Sequence, residues 1–424
     1  MVGVRDSWSA SGGGISGLCL AVALSQHANI KVDVYESAGR FQEIGAGVMI
    51  WARTWRILEL LGLASQFAKA TDTPPDDPSV GYGYRRSDRP EGFDWNFVPM
   101  PYGCIRFHRA HFLDVFVDNL PEGAAHFGKR LESYGRDGGE ISLTFADGTS
   151  AVCDLLVGCD GIKSVVRRQM LRAKAEEQGR PELLALVEPK WTGTIAYRGL
   201  IPIPELPTVD GIRHRTLDSP MMYCGQNKHI VAYSISGHTV NVVAYASELE
   251  KENTDYGAEW VSDCTKDEML QHFAGWEPEA LLLLERVDKP TKWGIHHLHA
   301  LPFFVADRVV LLGDAAHSMS PHLGAGATQA IEDAFILANV LGIATLNALD
   351  AALEAYQQTR LPGANHVLNS SYESGKMFEF NSSFGEDYST LGPAIARQWA
   401  FLTESTPEEE AEKVVEIFQS LQRV

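Results

Sequence analysis

The sequence predicts an α/β protein: a mostly parallel nucleotide-binding sheet, a β-rich second unit inserted into it, and a helical tail. Two glycine-rich turns, near residues 12 and 324, each open a helix-like segment, and a run of short β-branched and aromatic segments lies between them. The length, 424 residues, exceeds what one hydrophobic core organises, so more than one unit is expected. The implied organisation is a discontinuous nucleotide-binding domain (1–75, 101–185 and 290–365), a substrate-binding domain (76–100 and 186–289) and a helical C-terminal segment (366–424).

Composition narrows the function classes. With 45% hydrophobic and 21% charged residues this is an ordinary globular chain, and no apolar run approaches the roughly 18–20 residues that span a bilayer. The net charge of -19 repels phosphate backbones and anionic headgroups, so neither nucleic acid nor a membrane surface is expected as a partner. Cys19, Cys104, Cys153, Cys159, Cys224 and Cys264 form no CxxC pair, which fits reduced thiols. The N-terminus shows no basic segment followed by an apolar one, so the expected location is cytoplasmic. No metal site is expected, and the oligomeric state is left open.

Residues 15–28 (ISGLCLAVALSQHA) are dense in apolar helix formers and 31–36 (KVDVYE) alternate as a strand does, forming the second half of a βαβ unit. The strand that should lead into them, residues 2–10, is polar where a buried parallel strand is apolar, so it reads as a poor edge strand or an altered one. A helical stretch, TWRILELLGLASQFAKA, ends before TDTPPDDP at 71–78, a loop or domain crossing. Residues 140–153 predict a hairpin, followed by the buried strand DLLVGCD. The segments TGTIAYRGLIPI, MMYCG, HIVAYSI and VNVVAYA predict a largely antiparallel sheet. RVVLLGD at 308–314 then returns the chain to the nucleotide domain, ahead of the helix ATQAIEDAFILANVLG and an amphipathic tail.

Three motifs carry chemistry. In Gly12-Gly13-Gly14-Ile15-Ser16-Gly17, glycines let the backbone approach a pyrophosphate at a helix N-terminus. Glu36, at the end of the next strand, can accept hydrogen bonds from ribose hydroxyls, as in a Rossmann-like fold. Asp160-Gly161, with Ser164 and Arg167 behind it, places an acid on a tight turn, where it can position a ribose or simply cap the next helix. The longest motif is GDAAHSMSPHLGAGA, residues 313–327. Its strand-end Asp314 can bind a polyol chain, and the loop Gly324–Ala327 aims helix N-terminal amides at a developing anion.

In their order and separations these motifs resemble the class A flavoprotein monooxygenases. GAGVMIWARTWRILELLGL, TGTIAYRGL, HIVAYSI and GDAAHSMSPHLGAGATQAIEDA are similar to the salicylate hydroxylase branch, fungal members included; the resemblance covers about residues 11–370. It implies a GR2/PHBH-type fold, a tight non-covalent FAD, NADH or NADPH as co-substrate, and O2 activated as a C4a-hydroperoxyflavin that hydroxylates a small aromatic substrate. By this resemblance Gly12, Gly14 and Gly17 lie at the pyrophosphate, Glu36 at the adenosine ribose and Gly47 on the flavin side. Arg109 reaches the cofactor, Asp160 belongs to the same site, and Asp314 holds the ribityl or pyrophosphate region. Gly324, Gly326 and Ala327 face the isoalloxazine, and Pro321 shapes the oxygen cavity. Where the branch has Pro-Asn-Ala before its helix, this chain has Trp51-Ala52-Arg53, so the wall there is expected to differ.

On the substrate side the candidates are Arg198, His229 and Tyr233. His229 and Tyr233, four apart in a strand-like segment, project to one face. Electrophilic hydroxylation needs a phenolate-like ring, so an acceptor near the substrate hydroxyl helps, and Arg198 can bind a carboxylate or phenolate. Two further readings stay open: a dearomatising phenol hydroxylase of fungal secondary metabolism, and a flavin-binding remnant without turnover, the latter suggested by the polar first strand.

Overall fold

The computed structural model describes residues 6–41, 47–71, 81–100, 103–137, 139–208, 213–235 and 238–423. Residues 2–5 of the expected first strand and 72–78 of the expected crossing lie outside them. Two sheets organise the molecule. The first has six strands in the order Val305–Ala306, Val309–Leu311, Leu155–Gly158, Asp6–Ser11, Ile30–Glu36, Ala125–Phe127. All its pairs are parallel except the first.

The strand Asp6–Ser11 corrects the expectation of a poor edge. It lies inside this sheet, paired with Leu155–Gly158 on one side and Ile30–Glu36 on the other. Trp8 and Ala10 are buried and supply apolar volume, while Ser9 and Ser11 are buried too and small enough to fit. The ladder satisfies their backbone groups, which is what a central position demands.

The second sheet has eight strands in the order Val261–Asp263, Thr291–His297, Lys190–Pro202, Thr239–Ser247, Lys228–Ile235, Met221–Gly225, Gly81–Arg86, Phe93–Pro99. Only Met221–Gly225 and Gly81–Arg86 run parallel. Thr291–His297 belongs to this sheet, although residues from 290 onward were expected on the nucleotide side. Side-chain alternation gives the sheet two distinct faces. On one, Tyr197, Ile230, Ala232, Val242 and Ala244 pack with Phe273, Leu283 and Leu284 of the helical layer around Lys266–His272 and Pro278–Arg286. On the other, Arg198, Val243, Tyr245, His229, Val231 and Tyr233 face the rest of the molecule.

A two-stranded ladder, Gly47–Ile50 with Ile105–His108, joins the two sheets. Arg106 of this ladder donates to the Ser234 carbonyl at 2.7 Å. The helix Leu349–Phe378 runs unbroken through Pro362 and past residue 365, so the tail begins inside a continuous rod. The Trp51-Ala52-Arg53 segment explains why the tail docks where it does. Trp51 packs edge-on against Trp399 at 5.0 Å. Buried Arg53 pairs with Glu332 at 3.0 Å and with Glu410, on helix Pro407–Leu421, at 2.8 Å. Among the described residues no helix is long and apolar enough to cross a membrane, and no cluster could hold a metal ion.

Candidate active site

The first glycine turn is shaped by its neighbours. Gly12 has φ +112°, a conformation side chains resist, and a Cβ there would stand 2.2 Å from the Cys159 carbonyl oxygen. A Cβ on Gly17 would meet the Gly12 carbonyl at 2.1 Å, so the helix Ile15–Ser25 can start this close to the turn only with glycine. Gly14 caps that helix without a side-chain hydrogen bond, and no acidic residue occupies its first turn. Its amides and positive dipole end are thus available to an anion. Glu36 sits beside them, its carboxylate accepting from the Gly13 amide at 2.9 Å.

Asp160 serves this turn from behind. Its carboxylate accepts from Ser164 Oγ and from the Val165 and Val166 amides at the start of helix Val165–Gln178. Of the two roles open in the sequence, capping is the one its side chain performs in this arrangement.

The long motif meets the first one directly. A Cβ on Gly313 (φ +56°) would lie 3.0 Å from Ser16 Oγ and 3.3 Å from Ala330 Cβ, so the GD turn is wedged between helices Ile15–Ser25 and Gly326–Leu341. Asp314 is exposed at that junction. Helix Gly326–Leu341 likewise starts with no side-chain cap and no acid in its first turn. Gly324, Gly326 and Ala327 occupy that start, after the turn Pro321–Leu323.

A buried charge cluster fixes the turn. Asp333 accepts from the Gly313 amide at 2.9 Å, from Arg360 at 2.8 Å and faces His317 Nε2 at 2.5 Å. Burial works to raise the Asp333 pKa, but His317 and Arg360 outweigh it and hold it at about 2. Two uncapped helix N-termini, a carboxylate at the ribose distance in sequence and an exposed acid at the junction form a donor set that fits a dinucleotide such as FAD.

The sheet face completes the site. A Cβ on Gly47 would lie 3.6 Å from the Tyr233 hydroxyl, and Gly47 pairs with His108, next to Arg109 at the start of helix Arg109–Asp118. Burial pushes the Tyr233 phenol up to about 12, with Arg198 pulling the other way. Arg198 also lies over the Trp293 ring at 5.0 Å. His229 is wholly buried and stacks on Tyr245 at 4.4 Å. It lies 5.1 Å from the His322 ring, beside Pro321, and its Nδ1 meets Glu379 at 2.9 Å. The structure thus brings Arg198, His229 and Tyr233 to one face and sets that face against both Gly47 and the Pro321 turn.

Sequence reasoning missed Tyr245, His322, Asp333, Arg360 and Glu379. His322 stood inside the long motif and Tyr245 one strand over from His229. Glu379 lies in the tail with no local signal.

The comparisons agree with this geometry. Residues 11–189 and 208–371 match the FAD binding domain family. The chain is 40% identical over 403 residues to a salicylate hydroxylase of Pseudomonas putida, covering 92% of this chain and 90% of that one. It is 34% identical to the 6-methylsalicylate 1-monooxygenase of Aspergillus terreus, covering 90% and 84%. A solved salicylate hydroxylase in complex with its substrate superposes with a TM-score of 0.87 at 30% identity, over 97% of this chain and 98% of that one. Nucleotide turns, fold and relatives converge: the chain is an enzyme that uses FAD and belongs to the aromatic monooxygenases of the salicylate hydroxylase type.

Proposed function

We propose that the enzyme hydroxylates a phenolic aromatic acid of the salicylate class, with NAD(P)H as reductant and O2 as oxygen source. The observation that carries this reading is the convergence of Arg198, His229 and Tyr233 on the face that meets Gly47 and the Pro321 turn. Relatives named for salicylate and 6-methylsalicylate support the same class.

FAD, when bound and reduced, supplies the activated oxygen. Gly12, Gly14, Gly17 and Glu36 would hold its ADP part, while Gly47, Arg109, Asp314, Pro321, Gly324, Gly326 and Ala327 would surround the rest. Asp160 would brace the pyrophosphate turn through its helix cap. The other work falls to the chain. The planar Arg198 guanidinium suits a ring carboxylate in two parallel hydrogen bonds. Burial pushes the His229 pKa down to about 3, which keeps its imidazole neutral. In the tautomer with the proton on Nδ1, its Nε2 accepts a hydrogen bond from the ring hydroxyl and can draw that proton off only as Nδ1 gives up its own, which makes the ring electron-rich. Tyr233, kept protonated by burial, donates to the ring oxygen. The sheet and the tail exclude water from His229, which is wholly buried, while Arg198 and Tyr233 stay partly exposed. The cytoplasm, where NAD(P)H is available and cysteine thiols stay reduced, is the compartment this reading implies.

The test is a panel of aromatic acids and phenols screened for stimulated NAD(P)H oxidation, with product mass measured. A salicylate-type acid should stimulate strongly and gain one oxygen. If only phenols lacking a carboxylate gain oxygen, the role of Arg198 is wrong.

A further inference from the structure

Behind His229 lies a polar cluster that no sequence motif touches. Glu379 follows the last residue of helix Leu349–Phe378, is 2% exposed, and offers one carboxylate oxygen to both His229 Nδ1 at 2.9 Å and Ser247 Oγ at 3.0 Å. No arginine or lysine pairs with it among the described residues; Lys376, one turn earlier, pairs with Glu373. A helix C-terminus is also the wrong end for a negative charge. On the far side, His229 Nε2 is buried with no hydrogen-bond partner among the described residues. Beyond Glu379 a narrow cavity is lined by Thr194, Ser247, His322, Tyr372 and Lys376, with about 10 Å³ for the centre of a water molecule. That is about the least that holds one. The Lys376 side chain, in the lining, is 30% exposed.

We propose that Glu379 is a proton-relay residue, taking the proton that His229 removes from the substrate hydroxyl and passing it through the Ser247–Lys376 cavity to solvent. The proposal rests on the functional reading above. In the step, the ring O–H bond breaks and its proton joins His229 Nε2. The Nδ1 proton moves to the Glu379 carboxylate, leaving a phenolate, a neutral imidazole and a neutral carboxylic acid. Glu379 then releases its proton to the hydroxyl and water beyond it. No electrons change hands.

Burial raises the Glu379 pKa to about 8, with Ser247 opposing, so the group both takes and gives a proton near neutrality. The neighbours on every packed element do not compete. Burial pushes Tyr245 and Cys224 on the sheet and Tyr372 on the helix upward. It pushes His322 on the turn and His297 on the next strand downward.

The experiment uses the FAD-loaded full chain and a nitro-substituted salicylate whose phenolate is coloured. In Glu379→Gln the proton must stay on a histidine that resists it. The pH midpoint for phenolate formation of the bound ligand should therefore rise by about one unit or more, each unit being a tenfold change. Proton release, followed with an indicator dye, should slow by at least about tenfold. FAD content and affinity for the O-methyl ether of the same ligand, which has no proton to lose, should stay at wild-type values. An unchanged midpoint and release rate would overturn the relay. If Glu379→Gln does not fold, Ser247→Ala decides: slowed release with an unshifted midpoint supports the path, and wild-type release overturns it. A wild-type protein that binds neither ligand overturns the functional reading itself and the relay with it.

Discussion

On the nucleotide side, the groups that would hold the cofactor in this reading are mostly backbone amides at the starts of helices Ile15–Ser25 and Gly326–Leu341, brought together because their strands are near neighbours in one sheet. On the proposed substrate face the groups are side chains, gathered from strands Lys190–Pro202 and Lys228–Ile235, the turn Pro321–Leu323 and the end of helix Leu349–Phe378. A pyrophosphate is the same in every FAD, and backbone amides recognise it whatever the side chains are. A substrate ring differs between relatives, and side chains on a rigid sheet can be exchanged without disturbing the cofactor. The two regions should therefore fail independently.

The largest effect should come from Asp314→Ala. With its carboxylate exposed at the junction of the two helices, its loss should leave largely apo protein, read as the FAD-to-protein ratio after purification. Normal flavin content would mean that the junction does not hold the cofactor. Next is Asp333→Ala, which leaves buried His317 and Arg360 beside an empty place and should cost about 3–5 kcal/mol in urea unfolding. The pH dependence has a definite sign. Asp333 is held at about 2 in the folded protein, against about 3.9 when unfolded. Its stabilisation is therefore full above about pH 4 and drains away as pH falls toward 2. Wild-type stability minus that of Asp333→Asn should shrink across that window; a flat difference would mean that the pairs are not what holds the turn. Smaller still, Glu36→Ala should weaken FAD binding by about 1–3 kcal/mol, since a ribose loses its acceptor. An unchanged dissociation constant would remove Glu36 from the site.

The same division explains what could be read from the sequence. The glycine turns were legible because backbone approach demands glycine locally, and period two put His229 and Tyr233 on one face. Glu379 was not, because its partner lies 150 residues away and a helical tail's pattern shows that it is buried, not against what. Arg53 pairs across 279 residues, so its departure from the family pattern was visible but its purpose was not. The first strand was misjudged because small buried serines look like surface residues when Trp8 is the only bulky apolar side chain beside them. Asp160 could be read two ways because ribose binding and helix capping ask for the same residue on the same turn.

The claim that the two regions are separable is tested most directly by the ratio of hydroxylated product to NAD(P)H consumed, measured with FAD content in Arg198→Ala and Tyr233→Phe. A loosely held ring misses the activated oxygen, which is lost as H2O2. Arg198→Ala should therefore raise KM and lower the ratio. Tyr233→Phe should slow hydroxylation more than it weakens binding, because its hydrogen bond strengthens toward the transition state. Both variants should keep full flavin content. Wild-type coupling in both would contradict the assignment of the ring to this face, and loss of FAD from either would contradict the separation itself.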